Sequence, residues 1–184
     1  MNLKIAVISA SPRQESLTIR AARFLKAELE KNTTHEVSLI DLRDWNTGYL
    51  QNVWETEEKT PEKFRPLYRT LNQSRAFILV TPEYNGMFSP AMNMVLDQFP
   101  KSTYHRKAFG IATASTGALG GMRAALHLQQ FILGLFGTPS PQMLMIGQIE
   151  KKINPDGSLI DLAVEKPTAG FLSEFLWLAE KLNS

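Results

Sequence analysis

The sequence predicts an α/β fold, a doubly wound sheet of five parallel strands with helices on both faces. Three observations carry that expectation. Apolar, β-branched runs alternate with stretches of helical periodicity in the order βαβαβαβαβα. The segments between runs are long enough to bring each strand back parallel to the last. The first, third and fourth strands stop abruptly at loops rich in hydroxyl, proline or glycine residues. With 184 residues, 43% of them hydrophobic, the chain is expected to form one domain over 1–184 with a well-covered core.

Leu3 to Ser9 reads as the first strand, and Leu17 to Lys31 as a helix whose apolar face is Ile19, Ala22, Phe24, Leu25 and Leu29. Glu36 to Leu42 is the second strand. Its Val37, Leu39 and Leu42 have charged neighbours, which places it at a sheet edge. The connection from Arg43 to Lys59 carries Trp45, Tyr49, Leu50, Val53 and Trp54, either packed on the domain or a second subunit, or serving as a substrate gate. A helix is expected from Pro61 to Gln73, with Pro66 bending or splitting it. Ala76 to Val80 is the third strand, buried on both faces. Ser89 is an N-cap with Pro90 at the first helical position, for a helix reaching Phe99. Lys107 to Thr113 supplies strand four. Gly120 and Gly121 open a helix from Met122 to Phe136, ended by Gly134, Gly137 and Pro139. Gln142 to Ile149 is strand five, Asn154 to Gly157 a turn, and Pro167 to Asn183 a closing helix with Phe171, Phe175, Leu178 and Leu182 on one side.

Composition excludes several chemistries. Twenty Lys and Arg against 18 Asp and Glu, scattered along the chain, form no basic block for nucleic acid. The absence of cysteine removes thiolate nucleophiles, disulfides and Cys-ligated metal, so redox chemistry must come from a bound cofactor. The first apolar stretch is too short for a signal peptide and nothing else spans a bilayer, so the chain reads as cytoplasmic.

Three loops follow strands and would converge on one crevice at the carboxyl ends of the sheet. The first, Ala10 to Thr18, offers hydroxyls at Ser11, Ser16 and Thr18, the Arg13 guanidinium and the amides of a helix start, a set suited to a phosphate monoester. The plainer alternative is that Ser16 caps the helix and Arg13 is a solvated charge. The second loop, Pro82-Glu83-Tyr84-Asn85-Gly86, suits a planar heterocycle through backbone amides and the Tyr84 ring, or is simply a turn. Glu83 has no second carboxylate or histidine to form a catalytic constellation, so no catalytic residue is assigned. The third, Ala114 to Arg123, has three glycines that permit close backbone approach. Arg123 faces either a phosphate or solvent, and His127, alone in a helix body, reads as structural.

These segments resemble the NADPH-dependent FMN reductase family across most of the chain. Ser11-Pro12-Arg13-Gln14-Glu15-Ser16 is similar to the family's Ser-x-Arg-x-x-Ser phosphate loop, and Pro82 to Gly86 to its Pro-Glu-Tyr-Asn motif. Ser115-Thr116-Gly117-Ala118-Leu119-Gly120-Gly121-Met122-Arg123 is similar to its Ser-x-Gly-x-x-Gly-Gly-x-Arg segment, and Leu126 to Gln130 also matches the family's pattern. Ala10 departs from the family's usual glycine, and Asn93-Met94 from its usual Lys-Asn.

The resemblance implies a flavodoxin-like fold with strand order 2-1-3-4-5, assembly as a homodimer or homotetramer, and FMN as cofactor with NADPH or NADH as co-substrate. It implies FMN contacts from Ser11, Arg13, Ser16, Leu17, Thr18, Pro82, Glu83, Tyr84, Asn85, Gly86, Ser115 and Gly117. Hydride would pass from NAD(P)H through FMN to a small-molecule electron acceptor: a quinone, an azo compound, a chromate-like oxyanion or free flavin. The alternative is an FMN-binding electron carrier or flavin sensor without NAD(P)H turnover. A carrier usually needs an acidic docking face, and a net charge of +2 offers none.

Overall fold

The computed structural model describes residues 2–50 and 52–184; Gln51, in the 43–59 connection, and Met1 lie outside the described residues. Strands β1 (Lys4–Ser9), β2 (Glu36–Asp41), β3 (Ala76–Thr81), β4 (Ala108–Ala114) and β5 (Thr138–Ile146) form one parallel sheet in the order β2-β1-β3-β4-β5. The expected order, and β2 as an edge, are what the sheet shows.

Every residue of β3 and β4 is buried, because helices cover both faces. Alternation along the strands divides the core in two. Ile5, Val7, Ile78 and Val80 pack against α1 (Thr18–Asn32) and α5 (Glu165–Lys181). Ala6, Ile8, Phe77, Leu79 and Ile111 pack on the opposite face against α2 (Arg65–Gln73), α3 (Pro90–Leu96) and α4 (Met122–Gly134). Gly110 lies under α5, where an added Cβ would come within 2.8 Å of Phe171 Cζ and 3.2 Å of Phe175 Cδ2.

Several boundaries differ from expectation for physical reasons. The 61–73 helix is split into a 3-10 turn, Glu62–Phe64, and α2, whose second residue is Pro66; the proline's missing N–H is harmless in a first turn. α3 stops at Leu96 rather than Phe99, in the turns that precede Pro100. β5 starts at Thr138, four residues earlier than expected, and takes in Pro139 and Pro141. It pairs only with β4, and an edge strand tolerates residues that cannot donate to a ladder. The register shifts there: Phe109 faces Pro139 while Ile111 faces Met143. β5 also ends at Ile146, before a 3-10 turn over Ile149–Lys151. In α5, Phe171 and Phe175 are buried as expected and Leu178 is half-buried, but Leu182 at the frayed end is exposed.

The 43–59 connection packs on the domain through its tryptophans. Trp54 stacks on Phe64 with centroids 4.9 Å apart and meets Phe99 edge-on at 5.6 Å, and its backbone N–H donates to the Gln98 carbonyl. Trp45 is partly buried against the same core. Tyr49, Leu50 and Val53 remain exposed.

Candidate active site

β1 and β3 are neighbours whose connections leave in opposite directions, towards β2 and towards β4. Loops at the carboxyl ends therefore part there and leave a crevice. The crevice is a cleft of about 310 Å³ lined by Ser11, Arg13, Glu15, Ser16, Leu17, Thr18, Pro82, Glu83, Tyr84, Asn85, Ala114, Ser115 and Thr116. All three predicted loops meet in it. Of the twelve predicted residues, Gly86 and Gly117 do not line the wall; they shape the loops. Glu15, Ala114 and Thr116 line it and were not singled out, although each lies in a predicted loop, because loop membership does not tell which side chains face inward.

The first loop leaves the Ser16 hydroxyl for a ligand. Ser16 does not cap α1: the N-cap position is Leu17, and no side chain accepts from the first-turn amides. Ser16 Oγ is buried with no hydrogen-bond partner among the described residues. A buried hydroxyl left unpaired costs on the order of 1–3 kcal/mol, so its presence at a helix N-terminus fits an acceptor that arrives from outside. Thr18 is also buried, and Arg13 is exposed at the mouth.

Asn85 and Gly86 explain the geometry of the second loop. Their φ angles are +52° and +83°, and Tyr84 and Met87 exchange both backbone bonds at 2.9 and 3.0 Å. That is a two-residue type I′ turn, for which Asn-Gly is the favoured pair, and it projects the Tyr84 side chain towards the first loop. Tyr84 Oη lies 3.1 Å from Ser11 Oγ, and the Arg13 guanidinium sits 4.4 Å above the Tyr84 ring.

Glu83 lines the cleft and is also anchored outside it. Its carboxylate accepts from the Ala124 N–H at 3.4 Å in the first turn of α4, where the helix dipole favours negative charge. It thereby ties the second loop to the third. The third loop is held from both sides: Thr113 Oγ1 donates to the Gly120 carbonyl at 2.6 Å, and Gln148 and Ile149 donate to the carbonyls of Gly117 and Ser115. Gly147 passes so near that a Cβ would stand 2.3 Å from the Ala118 oxygen. Arg123 and His127 do not line the cleft; both are exposed on α4.

A parallel sheet of this order with a mononucleotide-sized cleft across β1, β3 and β4 defines a flavodoxin-like α/β protein. The sequence model of the family described as NADPH-dependent FMN reductase matches residues 3–151, and the chain belongs to that family. It is 27% identical over 182 residues to a quinone reductase of Escherichia coli (strain K12), covering 94% of this chain and 93% of the relative. It is 21% identical over 144 residues to an NADPH azoreductase of Bacillus sp. (strain OY1-2), covering 78% and 76%. In structure it is similar to FerB, a flavoenzyme NAD(P)H:(acceptor) oxidoreductase from Paracoccus denitrificans, with a TM-score of 0.80 at 23% identity over 97% of this chain and 98% of that one. The protein is an NAD(P)H-dependent oxidoreductase with FMN as cofactor and a nicotinamide dinucleotide as co-substrate. No helix among the described residues is long and apolar enough to cross a membrane.

Proposed function

We propose that FMN lies in the three-loop cleft and that the enzyme uses NAD(P)H to reduce a small-molecule acceptor, a quinone foremost. The observation that carries the reading is the buried, unpartnered Ser16 hydroxyl at the start of α1, in one cleft with Ser11, Arg13 and Thr18. This donor set suits a phosphate dianion: hydroxyls donate to its oxygens, Arg13 neutralises charge, and the helix terminus adds partial positive charge. Pro82 to Asn85, with Ser115, offer the flat remainder of the cleft to the ring. Bound there, FMN supplies the two-electron chemistry that the side chains of this chain lack. The side chains bind and orient: Glu83 and the type I′ turn hold the two ring-side loops at fixed separation, and no acid or base is assigned a proton. Quinone is put first among acceptors because a quinone reductase is similar along nearly its whole length; azo compounds, oxyanions and free flavin are the other arms of the test.

We further infer a homo-oligomer. Met122, Leu126 and Leu133 are exposed along one side of α4, with Leu119 just before it, and Leu126 is 54% exposed. Multi-angle light scattering should give a mass at least twice 20.7 kDa.

The reading is tested by the absorption spectrum and by turnover. The isolated protein should show, or take up, one FMN per chain and oxidise NAD(P)H only with an acceptor present. Arg13→Ala should weaken FMN retention with the fold intact. A colourless protein that refuses FMN would end the proposal, and flavin content unchanged in Arg13→Ala would remove that residue from it.

A further inference from the structure

Next to the flavin cleft, and sharing Glu15, Ser16 and Leu17 with it, is a second cleft of about 510 Å³. Arg20 and Arg23 on α1, Arg43 from the turn after β2, and Pro155 line it. Glu15 is the one carboxylate in its lining.

The three guanidiniums are not equivalent. Arg43 is committed, with a forked bond to Asp41 and another to the Gln14 carbonyl. Arg20 and Arg23 form no ion pair among the described residues. Each is pinned by one nitrogen to a backbone carbonyl, Arg20 to Ile153 at 3.1 Å and Arg23 to Pro155 at 2.6 Å. A guanidinium has five N–H donors, so most of each remains available on a side chain whose position is already fixed. The wall they reach is itself rigid: Gly157, at φ +96°, presses against Arg23 so closely that a Cβ would fall 2.8 Å from that residue's own Cβ. Asp156 in the same turn accepts from the amide and hydroxyl of Ser158, which with a smaller effect from Arg23 keeps its carboxyl below the usual range, but it does not reach the guanidinium as an ion pair.

Two pre-oriented guanidiniums with no carboxylate in direct contact among the described residues, on a wall shared with the first loop, suit a second phosphate monoester. We propose that Arg20 and Arg23 bind the 2′-phosphate of NADPH and make NADPH the preferred co-substrate over NADH. The inference rests on the FMN reading, because the ring end of the flavin cleft sets where the nicotinamide must lie. A dinucleotide that ran back from there over the first loop would cross the Glu15 to Leu17 segment that the two clefts share. By helix rise Arg20 and Arg23 lie about 3 and 8 Å beyond Thr18 along α1, on the side the adenosine end would reach. NADH offers only a hydroxyl at the same point.

The test is calorimetric titration of the holoenzyme with 2′,5′-ADP, 5′-AMP and inorganic phosphate at fixed ionic strength, in wild type, Arg20→Gln, Arg23→Gln and Arg23→Lys. In wild type 2′,5′-ADP should bind about tenfold or more tightly than 5′-AMP, each Gln variant should lose about tenfold of that affinity, and Lys should recover part of it. The ratio of kcat/KM for NADPH to that for NADH should fall in step. The proposal is overturned if 2′,5′-ADP fails to bind, if the folded Gln variants bind it as wild type does, or if inorganic phosphate competes equally well, which marks a free-anion site. A yellow, NADPH-oxidising enzyme with 2′,5′-ADP affinity indifferent to both arginines leaves the FMN reading standing and sinks this one; a protein that takes no FMN fails the earlier reading instead.

Discussion

The hydroxyls of Ser11 and Tyr84, 73 residues apart, meet at 3.1 Å across the cleft and join the phosphate-side loop to the ring-side loop. The Arg13 guanidinium lies over the same tyrosine ring, so a single side chain of the second loop contacts two members of the first. Loops that are coupled before a ligand arrives lose less freedom when it binds.

Tyr84→Phe removes only the hydroxyl bridge. A single neutral hydrogen bond contributes roughly 0.5–1.5 kcal/mol, so FMN affinity should fall up to about tenfold, with a larger loss in Tyr84→Ala, which also removes the surface beneath Arg13. Fluorescence titration of the apoprotein with FMN reads both; equal affinity in all three proteins would separate the bridge from binding.

Ser16→Ala should act in opposite directions on the two states. Without ligand, the variant is relieved of a buried unpaired hydroxyl and should be more stable by about 1 kcal/mol. With FMN present it loses a donor and should bind more weakly. Urea unfolding with and without FMN measures the two effects, and destabilisation of the apoprotein would show that the hydroxyl has a partner there.

Gly110→Ala places a methyl group where the Phe171 ring already stands, in a layer with no room to yield. The expected loss is about 1–3 kcal/mol, read as a lower urea midpoint with the slope preserved. Shortening the obstacle with Phe171→Leu in the same chain should recover part of it.

Lys107 supplies a pH dependence. Burial, with a smaller effect from Arg75, lowers its pKa to about 8, against about 10.4 in an unfolded chain. Between those values the unfolded state binds more protons, so this group's unfavourable contribution, full below pH 8, is relieved as pH rises. Wild type compared with Lys107→Met should therefore show a stability difference that narrows or reverses from pH 7 to pH 10. A difference constant with pH would mean that the ammonium is solvated.

Much of the architecture was legible because its signals are local. The all-buried run of β3, the Ser89-Pro90 helix start and the amphipathic pattern of α1 each depend on neighbours within a few residues. The misread boundaries depend on distant partners. Pro139 and Pro141 sit inside β5 only because that strand is an edge, and Leu182 is exposed at the cap position just after α5 ends at Lys181.

The amino-acid pattern alone determined the parallel five-stranded sheet, the three loops at its carboxyl ends and the kind of ligand those loops favour, because hydrophobic period and turn chemistry act over short spans. Tertiary structure alone decided that Ser16 is an orphan rather than a cap, that Glu83 is a strut between two loops, and that Arg20 and Arg23 share a second cleft with the turn at Pro155. Each of these depends on which groups more than 40 residues apart are brought together, or on which hydrogen bond is left unmade. Burial and pairing are properties of the assembled surface, and no local period encodes them.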